Sequence, residues 1–148
     1  MNIFNRLIAK HIKVGAMGEK AAVKFFKSRN ATILARNWRN ASAHDGKGEL
    51  DIVLLDGETL VFAEVKTRSK LDNYLPGANL SDAQKQRIRR GAMAYCRKHH
   101  IAEEVSKRFD LVEVIHDGKK LHSVILHENY MSFSRQFFLT GADNGAIL

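Results

Sequence analysis

The chain has 148 residues, 45% of them hydrophobic, which suits one domain of ordinary size with a sizeable core. Its single cysteine, Cys96, excludes an internal disulfide framework, and no apolar run is long enough to span a bilayer or to serve as a signal core. A reduced, cytoplasmic setting is the expectation. The net charge of +8 is unevenly spread: residues 1–48 hold ten Lys and Arg against Glu19 and Asp45, and the remaining residues balance. Within that balanced part, "KQRIRRGAMAYCRK" (85–98) carries six basic residues and no acid, a cluster that suits either a polyanion or a solvated face.

In chain order, Ile3, Phe4, Leu7, Ile8 and Ile12 recur at helical spacing among Arg6, Lys10 and Lys13, a basic amphipathic front segment over 1–17. That segment suits packing on the domain, a partner or a membrane surface. A first helix is expected from Gly18 to Arg29, with Ala21, Ala22, Phe25 and Phe26 as its stripe. "TILARNW" (32–38) reads as a strand, 39–48 as a polar loop, and "LDIVLLD" (50–56) and "TLVFAEVK" (59–66) as a hairpin turning at Asp56-Gly57. Residues 68–80, with the only proline, read as a loop. Ser81 is then a helix N-cap with Gln84 placed for a capping box, and the helix runs to about His99. A second hairpin spans 108–128 around Asp117-Gly118, and 131–148 form a C-terminal tail that begins with aromatics. The expected fold is α/β: a mixed sheet flanked by helices, with a basic helix in front of a domain over 18–130.

Asp51, Glu64 and Lys66 stand out because they place charge in strands that otherwise want to be core. Glu64 and Lys66 share one strand face, and burying either is costly without a partner. Pairing about Asp56-Gly57 sets Asp51 opposite residue 62, and a slip or bulge brings it near Glu64. Two converging carboxylates suit Mg²⁺ or Mn²⁺, with an amine beside them to orient water; a plain cross-strand ion pair is the other reading. Two histidines, His116 and His122, flank the second hairpin, a poor basis for zinc. Cys96 reads as a packed thiol, and Trp38 as core rather than a stacking platform.

"GEKAAVKFFKSRNATILARNWR", "GELDIVLLDGETLVFAEVKTRSK", "KQRIRRGAMAY" and "RFDLVEV", in that order, resemble the YraN-like family of small bacterial proteins from about Gly18 to Tyr130. The resemblance implies a restriction-endonuclease-like αβββαβ core, similar to archaeal Holliday-junction resolvases, with a PD-(D/E)xK-type site. It implies Asp51 and Glu64 as metal ligands, Lys66 as the catalytic lysine and Glu19 as an assisting carboxylate; Glu19 also fits as a first-turn acid complementing the helix dipole. Gln84 and Lys85 are placed as supporting residues, Gln84 fitting the capping box better. Glu49 is either a neighbour of the site or a solvated residue. Arg68, Arg87, Arg89, Arg90, Lys20 and Lys24 are the candidate nucleic-acid contacts. The loop over 39–48 is longer than the resemblance leads one to expect, and 1–14 and 131–148 extend past it. Three functions follow as expectations: a Mg²⁺- or Mn²⁺-dependent nuclease acting on branched or single-strand-containing DNA, a non-catalytic nucleic-acid-binding module of the same fold, or an interaction protein whose front helix and tail mediate assembly, such as a homodimer.

Overall fold

In the computed structural model, residues 2–40, 48–70 and 80–133 are described. Most of the polar loop after the first strand, the proline-containing loop and nearly all of the tail lie outside them. The element order is α1 (Ile3–Ser28), β1 (Thr32–Arg39), β2 (Glu49–Asp56), β3 (Thr59–Ser69), α2 (Asp82–Lys98), β4 (Lys107–His116) and β5 (Leu121–Met131). The strands form one sheet in the order β1-β2-β3-β4-β5. Only β3 and β4 pair in parallel, because α2 carries the chain back across the sheet between them. This is the αβββαβ core expected, with β4 and β5 forming the expected second hairpin.

The two helices cover opposite faces. Strand side chains alternate, so each strand supplies both layers. Ala22, Val23 and Phe26 of α1 pack on Ile52, Leu54, Val61, Ala63, Val112 and Val114. Ile88, Ala92, Tyr95 and Cys96 of α2 pack on Leu50, Val53, Leu60, Phe62, Phe109 and Leu111. Phe62 sits at the centre of the second layer, edge-on to Tyr95 at 5.9 Å between ring centroids. Its complete burial contributes about 1.5–3 kcal/mol. Trp38 is edge-on to the same tyrosine at 5.4 Å, which makes it part of this layer.

The local chemistry explains the element ends, and several differ from the sequence reading. The front segment and the first helix are one element: α1 starts at Ile3, where the Asn2 side chain accepts from the Phe4 N–H, rather than at Gly18. Ile3, Phe4, Leu7 and Ile8 remain exposed on it. It ends where Asn30 turns left-handed at φ 64° and Ala31 N–H returns to the Phe26 carbonyl. The Ser81–Gln84 capping box forms as expected. The first hairpin turns one residue later than its Asp-Gly step implied. Asp56 pairs with Thr59, and the two-residue loop is Gly57-Glu58, with only Gly57 at positive φ. Strand β3 runs on to Ser69, into what reads as loop. The second turn takes four residues, Asp117 to Lys120, because the Asp117 carboxylate accepts the N–H groups of Lys119 and Lys120.

Gly48 and Gly91 set the spacing between β2 and α2. A Cβ on Gly48 would lie 2.5 Å from the Gly91 nitrogen, backbone that cannot step aside. Gly48→Ala is therefore expected to cost about 1–3 kcal/mol, the usual range for overpacking. Urea denaturation of the variant checks this; an unchanged midpoint would refute the close approach.

Candidate functional site

Register brings the candidate carboxylates together. In the β2–β3 hairpin the paired residues run from Asp56↔Thr59 to Ile52↔Ala63, so the next step sets Asp51 across from Glu64 with no bulge required. On the other side, Arg36 pairs with Ile52 and Trp38 with Leu50, which sets Asn37 across from Asp51. Asn37, Asp51 and Glu64 thus form one row over three strands. Beyond Ala63 the ladder gives way to a side chain: Val65 N–H donates to Asp51 Oδ2 at 2.8 Å. Asp51 accordingly reaches towards the backbone of β3.

Glu64 is 5% exposed, and two cations reach it. Lys66 Nζ and an Arg87 Nη each lie 3.5 Å from Glu64 Oε1. Lys66 arrives from the same strand face, and Arg87 from the first turns of α2. Burial first, and then the Asp51 carboxylate, push the Glu64 carboxyl up to about 8 against the pull of Lys66 and Arg87. Glu19 joins from α1. A Cβ on the preceding Gly18 would strike the Thr67 hydroxyl, so the glycine lets α1 lie against β3. Burial also raises the Glu19 carboxyl, opposed by a hydrogen bond with Asn37 and reinforced by the charge of Asp51. Asn37 has φ 49°, a conformation that asparagine tolerates better than most residues.

The other sequence candidates fall in different places. Gln84 is occupied by the capping box, its Oε1 accepting from Ser81 N–H at 2.9 Å, the better-fitting of its two expected roles. Lys85 sits half-buried beside it. Glu49 pairs at 3.5 Å with Arg39 on the outer strand. Lys20 and Lys24 are exposed on α1, on the opposite helix layer from Arg87, Arg89 and Arg90, so the six basic candidates are not one patch. Arg68 pairs with Glu113. His116 Nδ1 accepts from Gly118 N–H, and His122 pairs with Asp117, so both histidines serve the one turn between β4 and β5. Burial pushes the Cys96 thiol up to about 11, the behaviour of a packed cysteine.

Sequence reasoning missed two partners. Asn37 was visible only as the first letter of Asn-Trp-Arg, and the register that carries it to Asp51 depends on a bulge between Ile33 and Ala35. Arg87 read as one of a basic run, with nothing local to connect it to Glu64.

The comparisons with known proteins agree on one group. The model of the uncharacterised protein family UPF0102 matches residues 18–114. The chain belongs to that family. A UPF0102 protein of Paenarthrobacter aurescens is 39% identical over 105 residues, covering 71% of this chain and 82% of that protein. One of Koribacter versatilis is 37% identical over 122 residues, 82% of each chain. One of Beutenbergia cavernae is 41% identical over 103 residues, covering 69% of this chain and 81% of that relative. The matched stretch begins at Gly18, and it includes Glu19, Asn37, Asp51, Glu64, Lys66 and Arg87.

Because the folded chain keeps a proton on Glu64 that the unfolded chain releases at ordinary carboxyl pH, stability is lost as pH rises from about 5 to about 8. Glu19 adds a contribution of the same sign. Glu64→Gln is expected to flatten the fall, with the variant gaining on wild type most clearly near and above pH 8. Thermal melting across that range in a chelating buffer measures the difference; parallel curves would contradict the raised carboxyl.

Proposed function

We propose that this chain is a metal-dependent nuclease acting on DNA, with branched or single-strand-containing DNA as its substrate class by likeness of fold to resolvases. What supports this reading is the row Asn37–Asp51–Glu64 at the end of the β2–β3 ladder, with Lys66 and Arg87 on Glu64.

The donor set fits a hard cation. Asp51 and Glu64 offer only oxygen, and burial first, then the charge of Asp51, raises the Glu64 carboxyl, a cost that a divalent cation would offset. Among the described residues no three His, Cys, Asp or Glu side chains close into a metal cage. Mg²⁺ needs none, since it binds through one or two carboxylates and keeps water and substrate phosphate for the rest. Asp51 and Glu64 would hold Mg²⁺ or Mn²⁺, with Glu19 assisting. When bound, the ion supplies an acidified water and charge stabilisation at the phosphodiester.

The chain's own residues do the remainder. The Val65 N–H fixes the Asp51 carboxylate, and Asn37 holds Glu19. Lys66, only 3.5 Å from Glu64 Oε1, sets its ammonium where it can orient the attacking water and offset charge developing on the phosphate. Arg87 keeps a guanidinium on Glu64 and presents it to phosphate oxygens, which it matches in geometry. No helix among the described residues is long and apolar enough to cross a membrane, so the domain meets its substrate without a helical membrane anchor within those residues.

Pure protein incubated with branched, single-stranded and linear duplex DNA is expected to cut at least one of them with Mg²⁺ or Mn²⁺ and none in chelator. Glu64→Ala and Lys66→Ala are each expected to slow cutting by roughly 100-fold or more. If wild type and variants cut alike, the assignment of the site is wrong. If the protein binds DNA with the salt dependence of phosphate contacts and cuts nothing, the non-catalytic module replaces the nuclease.

A further inference from the structure

The first half of α1 carries a surface that neither the sheet nor the candidate site uses. Helix α1 packs on the sheet through Ala22, Val23 and Phe26, with Ala21 and Phe25 beside them. Gly18 is the first buried residue along it among those described, and every residue from Asn2 to Lys10 is exposed. The stretch matched to the family also begins at Gly18. At the rise of an α-helix, the segment ahead of that glycine is roughly 22 Å long. Its side chains sort into two stripes. Ile3, Phe4, Leu7 and Ile8 recur three and four residues apart and form an apolar one. They are 49–67% exposed, far more than the rim of a core leaves open. Arg6, Lys10 and Lys13 are exposed and form a cationic one. The two stripes border each other, since Arg6 lies three residues after Ile3, and Lys10 three after Leu7. No Asp or Glu precedes Glu19, so no acid of the segment neutralises these cations.

An occupant of this surface has to supply an apolar layer and negative charge together. A second copy of the helix brings a like apolar stripe, but also the same three cations and no acid to meet them. A nucleic acid neutralises cations and leaves the apolar side chains in water. The surface of an anionic bilayer supplies both, with phosphate headgroups directly above the acyl chains. Lys and Arg stems run along the apolar layer while their charged heads stay among the headgroups. This pairing of apolar and basic stripes is what holds a helix in the plane of such a surface. Helix α1 is not long and apolar enough to cross a membrane. Lying in the surface requires no crossing, and it gives a reversible contact rather than an anchor.

We propose that residues 3–13 form an interfacial helix that seats this chain reversibly on an anionic lipid surface. Ile3, Phe4, Leu7 and Ile8 enter the boundary with the acyl chains, and Arg6, Lys10 and Lys13 meet the headgroups. The proposal needs neither a metal nor DNA and stands apart from the nuclease reading.

The full chain is sedimented with vesicles of phosphatidylcholine alone, and with vesicles of phosphatidylcholine and phosphatidylglycerol in equal amounts. Wild type is compared with Phe4→Ser/Leu7→Ser and with Arg6→Gln/Lys10→Gln/Lys13→Gln, and each is also melted. All these positions are exposed, so both variants are expected to melt as wild type does. Wild type is expected to bind the anionic vesicles, and the neutral ones far less. Phe4→Ser/Leu7→Ser is expected to weaken binding by roughly tenfold for each side chain removed. The triple variant is expected to weaken it by about fivefold for each charge removed. A Phe4→Trp variant locates the contact: its emission is expected to shift to the blue on anionic vesicles, while Trp38 stays in its packed layer. A wild type that ignores anionic vesicles overturns the proposal. If Phe4→Ser/Leu7→Ser then dissociates an oligomer, a second copy covers the stripe; if it lowers the melting temperature, the chain's own residues do; if it does neither, an acidic protein groove is the remaining occupant. Vesicle binding that survives Phe4→Ser/Leu7→Ser belongs to the basic runs elsewhere and overturns the proposal as well. If that variant does not fold, a Phe4→Trp emission unmoved by the vesicles does so.

Discussion

The bond from the Val65 N–H to the Asp51 carboxylate is the constraint on which the site depends. An antiparallel ladder normally consumes its backbone donors strand to strand. Here one donor goes to a side chain, and that side chain is thereby drawn towards the sheet instead of standing off one face. Such a position is within reach of both helix layers. Glu19 arrives from α1 and Arg87 from α2, although the two helices never share a face. Asp51 lies beside Glu19 on one side and Glu64 on the other, and Glu64 in turn meets Arg87, so the pair makes one site of groups carried by opposite sides of the sheet.

The charges nearby are placed at some expense. Glu64 and Glu113 lie in the interior of the two strands that pair in parallel at the middle of the sheet, where apolar side chains would be the stabilising choice. The rest of the domain offsets this with two well-filled layers, one around Phe62 and Tyr95, the other around Phe26 and Val61. A different ion network shows the contrast. Arg108 binds Asp110 and Asp56 near the far end of the sheet, at 2.8 and 2.9 Å, and Asp110 also accepts from Asn129 N–H. Those groups satisfy one another and tie β2, β4 and β5 together. Around Glu64 burial and the charge of Asp51 instead raise the carboxyl, and the cations lie at 3.5 Å.

Much of this was legible from the chain alone, for reasons that are local. Period-two alternation marked the strands, Ser81 and Gln84 marked the start of α2, and the charged letters Asp51, Glu64 and Lys66 stood out against their apolar neighbours. What escaped depends on register and crossover. A hairpin turned at Gly57-Glu58 rather than Asp56-Gly57 shifts every pairing, and that shift puts Asp51 opposite Glu64. The bulge in β1 carries Asn37 to the row. Arg87 meets Glu64 only because α2 returns across the sheet, and Glu113 meets Arg68 only through the parallel pairing of β3 with β4, contacts between residues far apart in sequence that no local periodicity announces. The continuity of α1 through Gly15 and Gly18 was hidden because glycine lowers helix propensity without forbidding a helix.

The irregularities of the outer strands have a consequence beyond the site. An open sheet of five strands has two edges, and a flat edge is a template for another chain. Strand β1 is interrupted by its bulge and by left-handed Asn37, and it presents Arg36 and Arg39 as exposed side chains. Strand β5 breaks register between its partners Phe109 and Leu111, turns left-handed at Asn129 and begins with exposed Leu121, His122 and Ser123. Neither margin is a straight row of donors and acceptors. The backbone kinks that shape the domain also guard it against edge-to-edge aggregation, so any association between copies is left to side-chain surfaces rather than to an extended sheet.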